Sequence, residues 1–152
     1  MTSNHSTSPS PRLKEIFRVI LSVAIIIVGI THFVKPEEYA KIVPPQFGDR
    51  LAMVYISGFF EILGGIGLLI PFVSVAAAWG LIALFIAVFP ANIYQAIHSI
   101  PIEGIPHHPL LYWFRLPFQA VFIAWAGWYT RKPEEQPGAS FVAPLVKSFI
   151  NR

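Results

Sequence analysis

Between residues 51 and 130 only Glu61, Glu103 and Arg115 carry a full charge at neutral pH. Glu61 stands in the middle of Ser57 to Pro71, SGFFEILGGIGLLIP, an apolar and glycine-rich stretch. A charge at mid-bilayer depth costs several kcal/mol unless it faces protein or water and finds a partner. Arg115 is the obvious counter-charge, so the expectation is a small membrane protein built around that pair. Composition points the same way. At 55% hydrophobic and 12% charged residues the chain has too little polar surface to cover a water-soluble globule. We therefore read it as an integral membrane protein of one domain. Its formal net charge of +3 comes from basic residues near the chain ends and in one loop. That placement suits anionic lipid and gives no nucleic-acid footprint. The chain has no cysteine, which excludes a disulfide framework, thiol catalysis and cysteine-ligated metal centres.

In chain order, residues 1–15 read as a disordered cytoplasmic tail, rich in Ser, Thr, Asn and Pro at its start. A first apolar span follows at 16–34. It is too long for a signal-peptide h-region, lacks a small-x-small cleavage site, and is read as retained. The connection KPEEYAKIVPPQFGDR suggests a short interfacial helix from Pro36 to Ile42. Further spans are expected at 51–70, 75–97 and 110–130, with 131–152 a cytoplasmic C-terminal tail. Phe72 to Ser74 is a tight turn that makes the third span return antiparallel to the second. Pro90 and Pro117 each delete a helix hydrogen bond, so the third and fourth spans should kink. The fold class expected is all-α, an integral membrane four-helix bundle with kinked third and fourth helices.

Basic residues set the orientation. Arg12, Lys14, Arg18, Arg131, Lys132, Lys147 and Arg152 fall at one side, which predicts cytoplasmic N and C termini. Tyr55, Tyr94, Tyr112 and Trp113 would then lie toward the outer interface, and Trp79, Trp128 and Tyr129 toward the inner one. At a rise of about 1.5 Å per residue, Glu61 and Arg115 differ in depth by only about 6 Å, within reach of their side chains. The same reckoning puts His32 and Asn92 in the outer half. The candidate site is a polar pocket lined by His32, Glu61, Asn92, Arg115, Gln119 and Tyr55. Gly58, Glu61 and Gly65 share one helical stripe, as do Ala83, Ala87 and Ala91, which is the usual device for close helix packing in membranes. Glu61 and Arg115 have a purely structural reading too, as a buried pair that fixes helix register.

The blocks HF..PEEYAKIVPP, SGFFEILGGIGLLIP, FPAN and RLPFQ, in that order between Gly29 and Trp128, resemble the DoxX family of small four-helix bacterial membrane proteins. Matching positions are His32, Pro36, Tyr39 and Pro44; Gly58, Glu61 and Gly65; Pro90 and Asn92; and Arg115, Pro117 and Gln119. The resemblance implies the bacterial inner (plasma) membrane. The family takes its name from subunits of a quinol-oxidising or thiosulfate:quinone oxidoreductase system. What it implies is a non-catalytic subunit or accessory protein of a quinone-linked membrane redox assembly, with the lipid bilayer and redox subunits as partners. Some relatives are linked to thiol redox partners, a role that this cysteine-free chain could fill only as a scaffold. No intrinsic cofactor is expected, and quinone is the ligand the pocket suggests. The sequence holds no self-contained catalytic motif and no metal-ligand set. His98, His107 and His108 lie in a loop, so bis-histidine haem ligation is not supported. Two other readings stay open: a structural or assembly protein, and a small-solute or proton conduit with Glu61 as relay. The oligomeric state is also open, a homo-oligomer included.

Overall fold

A computed structural model of the chain describes residues 11–103 and 108–130. The tail expectations for 1–10 and 131–152 lie outside the described residues. Within them the chain is helical throughout: α1 (Pro11–Val34), α2 (Pro36–Ala40), α3 (Arg50–Leu69), α4 (Ser74–His98) and α5 (Pro109–Gly127), with a 3-10 turn at Pro45–Phe47. No strand occurs among the described residues.

α1 starts at Pro11, not at 16 as expected. Proline suits the first helical position, and the polar residues that follow are ordinary helix formers, with Arg18 paired to Glu15 one turn away. α3 opens on Asp49, whose side chain accepts the Ala52 N–H at 3.1 Å and supplies an N-cap. It ends at Leu69, just before Pro71, and α4 begins only a few residues later at Ser74. Pro90 and Pro117 both lie inside continuous helices.

Neighbouring helices alternate in direction. Gly29 of α1 meets Gly58 of α3, while Ser22 and Ile26 meet Gly65. Gly64 and Gly67 of α3 meet Leu81 and Ala77 of α4. Asn92 of α4 bonds Gln119 of α5. Phe17 of α1 packs edge-on against Trp125 of α5 with centroids 5.8 Å apart. One end of the molecule therefore carries α2 and the last turn of α4; the other carries Lys14, Phe17 and Trp128.

The packed core lies toward the second of these ends. Leu21, Ile25, Leu68, Ala78, Leu81, Phe85 and Tyr129 form one buried cluster. The outward faces are just as apolar, with Ile20, Val23, Ile27, Phe59, Leu63, Ile86, Phe118 and Val121 exposed. Such a surface is at home in hydrocarbon and unstable in water. α1 from Arg12, α3 and α4 are each long and apolar enough to cross a membrane. Because lipid tails are as apolar as leucine, these helices gain little from mutual burial and rely on close van der Waals fit and interhelical hydrogen bonds.

Candidate functional site

The site begins where α1 and α3 touch backbone to backbone. A Cβ on Gly58 would stand 2.7 Å from His32 Cβ and 2.9 Å from the Gly29 carbonyl oxygen, so only glycine permits the approach. That approach carries His32 Nδ1 to 3.3 Å from Glu61 Oε2. His32 Nδ1 also lies 2.9 Å from the Val28 carbonyl. Both neighbours are acceptors when Glu61 is ionised, so Nδ1 carries the proton and gives it to Val28. Glu61 Oε2 is left buried without a hydrogen-bond donor. Above the imidazole, Tyr39 of α2 stacks at a centroid distance of 4.1 Å and an interplanar angle of 18°. The Thr31 hydroxyl donates to the Val28 carbonyl at 2.6 Å, so at 2.7 Å from Thr31 it is Tyr39 that donates.

Across the cavity, α4 and α5 contribute an amide and guanidinium network. Asn92 Nδ2 donates to Gln119 Oε1 at 2.6 Å. Gln119 Nε2 donates to the Phe85 carbonyl, next to the Ile86 carbonyl that Pro90 deprives of its partner. Arg115 Nη1 donates to Gln95 Oε1 at 3.1 Å, and Gln95 Nε2 donates to the Ile100 carbonyl at 3.2 Å. Gln95 is 1% exposed.

Between these two groups lies a cavity of about 430 Å³. Its polar lining includes His32, Glu61, Asn92, Arg115 and Gln119, five of the six residues singled out in the sequence. Tyr55 lies elsewhere: it is 41% exposed and packs on Phe33 with centroids 5.6 Å apart. The structure adds Tyr39 and Ser57 to the lining, and Gln95 behind Arg115. Glu61 and Arg115, expected to be directly or nearly paired, share the cavity wall without forming an ion pair at contact distance. The side chain at close range to Glu61 is His32, and the guanidinium donates to Gln95.

Chemically, the cavity offers an acceptor at Glu61 and donors at Arg115, whose guanidinium has further N–H groups beyond the one given to Gln95. Phe85, Phe118 and Phe122 supply flat apolar wall. Among the described residues no group of three or more His, Asp or Glu side chains is placed to hold a metal ion. Residues 21–130 match the sequence model of a family described as a domain of unknown function (DUF8561). No curated protein and no solved structure matches the chain.

Proposed function

We propose, for a chain that belongs to the DUF8561 family, that the cavity binds a quinone headgroup and that the protein is a non-catalytic, DoxX-like subunit of a quinone-linked membrane redox assembly. The observation that carries the reading is that Glu61, one of whose oxygens has no hydrogen-bond partner, and Arg115 line the same apolar-walled cavity. Ligand sites are mostly apolar concavities with a few convergent polar groups, and about 300–1,000 Å³ is their usual size. A quinone headgroup has that character: a flat ring for the phenylalanines, and oxygens for Arg115 and, in the reduced form, for Glu61.

The reading takes the protein as a four-helix bundle in the bacterial inner membrane with both termini cytoplasmic. α5 is its fourth span, lowered in hydropathy by Arg115, Pro117 and Gln119, and α4 and α5 bend at Pro90 and Pro117. The test is titration of decylubiquinone into the purified protein in lipid nanodiscs, followed by quenching of tryptophan fluorescence. Saturable quenching, weakened about tenfold or more in Arg115→Met, is the expected result; a tenfold loss corresponds to about 1.4 kcal/mol. Non-saturable quenching equal in both proteins overturns it.

One observation favours the structural alternative. The bonds from Asn92 to Gln119, from Gln119 to Phe85 and from Arg115 to Gln95 all join α4 to α5, as a device for locking two helices would. On that reading Asn92→Leu lowers stability and leaves quinone titration flat in every variant.

A further inference from the structure

The cavity has two boundaries of different character. Toward the α2 end it is roofed. Tyr39, Ile42, Val43 and Pro44 line it from above, and Ile42 is 4% exposed. The roof is latched to the segment after α4, where the Glu103 N–H donates to Glu38 Oε2 at 3.0 Å and Lys35 Nζ lies 3.8 Å from Glu103 Oε2. Toward the flank, between α1 and α5, the boundary is looser. Close backbone packing runs from α1 to α3, from α3 to α4 and from α4 to α5. α1 meets α5 at the far end, where Phe17 packs on Trp125, and just past α5 the Tyr129 hydroxyl donates to the Lys14 carbonyl at 3.0 Å. In the other half, Val28 of α1 and Phe118 of α5 both belong to the cavity lining. Both are also open to the outside, 41% and 60% exposed.

From this geometry we infer that the cavity is loaded sideways from the bilayer, between the α2-end halves of α1 and α5. Its occupant is an amphiphile whose polar head reaches Glu61 and Arg115 while its apolar tail passes Val28 and Phe118 into the lipid. The inference rests on the reading of the cavity as a binding site and adds the route and the tail. A ligand arriving from water would have to displace a latched roof. One dissolved in lipid meets apolar side chains such as Val28 and Phe118, and its tail gives up little by lying between them, since that surface is already surrounded by hydrocarbon.

The absence of native cysteine makes the route measurable without a ligand. Ser57 lines the cavity and is buried, so Ser57→Cys in lipid vesicles reports which reagents arrive. An apolar maleimide should modify it at least tenfold faster than a charged, membrane-impermeant thiosulfonate present on both sides. Val28→Trp added to Ser57→Cys should slow the maleimide severalfold, and Glu38→Ala should change neither rate. Equal modification by the charged reagent, or acceleration of that reagent by Glu38→Ala with no effect of Val28→Trp, means a water route and overturns the inference. Size-exclusion profiles establish that each variant remains folded. A second measurement compares decylubiquinone with its tailless parent benzoquinone at equal concentration in the bilayer. Tighter binding of the tailed form supports the inference, and equal binding overturns it while leaving the quinone site standing. If neither binds but thiol access is lateral, the quinone reading falls and the bilayer route stands for another amphiphile.

Discussion

His32 Nδ1 lies 2.9 Å from the Val28 carbonyl and 3.3 Å from Glu61 Oε2, and spends its proton on the first. The carboxylate is thereby held beside an imidazole N–H that serves another acceptor. It is the group in the cavity with most to gain from an incoming donor. Its position depends on α1 and α3 meeting with no side chain between Gly29 and Gly58.

Gly58→Ala should therefore destabilise the protein by about 1–3 kcal/mol, because the new methyl would meet His32 Cβ and the backbone of α1, neither of which can swing aside. Gly80→Ala is the matched control. Nothing lies within 4 Å of its would-be Cβ, and alanine is the better helix former by about 1 kcal/mol. Unfolding in mild detergent followed by circular dichroism should show a clear loss for the first and none for the second. Equal behaviour of the two would mean that the close approach carries no energy.

How far the sequence led to this geometry can be judged residue by residue. Depth was legible, because rise per residue is fixed along a helix; His32, Glu61, Asn92, Arg115 and Gln119 do line one cavity. Azimuth was harder. Tyr55 is six residues before Glu61, and at about 100° per residue that turns it roughly 240° away, onto the outer face. Ser57, one turn before Glu61, was the residue to choose. Gln95 escaped notice because a glutamine in the last turns of a helix reads as interfacial, yet its i, i+3 relation to Asn92 put both on one face. Which partner Arg115 would take could not be read from depth at all, since Glu61 and Gln95 are both in range and the rotation of α5 decides between them.

That choice of partner is measurable. A double-mutant cycle pairing Arg115→Met with Gln95→Leu should give a coupling of about 0.6–2 kcal/mol, the range seen for hydrogen bonds between membrane helices. The cycle pairing Arg115→Met with Glu61→Gln should give a smaller one, because those side chains do not touch. A larger coupling to Glu61 than to Gln95 would show that the two charges do pair directly in the bilayer.

The Asn92–Gln119 bond gives a third expectation. Asn92→Leu removes the donor that Gln119 Oε1 uses and should lower stability by about 1–3 kcal/mol, whereas replacing both amides by leucine should recover part of the loss. Thermal unfolding of the two single variants and the double variant in the same detergent decides it. Additive losses would mean that each amide acts through other partners.

The roof should respond to acid in a defined direction. The Lys41 ammonium bonded to Glu38, and next the Glu103 N–H, hold the Glu38 carboxyl below the usual carboxylate range. A carboxyl depressed in the folded protein adds stability above its unfolded pKa and loses that contribution as pH falls through the folded value. The latch should accordingly stay shut at neutral and mildly acidic pH and open only below the ordinary carboxylate range. Protection of the Glu103 amide against hydrogen exchange, corrected for the intrinsic rate at each pH, reports it directly. In the wild type, protection should fall at the acid end. In Glu38→Gln it should be low at neutral pH already and change little on acidification, since an amide oxygen accepts the Glu103 N–H without the charge that strengthens the bond. A wild-type amide that loses protection between pH 7 and 5 would mean that some group other than Glu38 controls the roof.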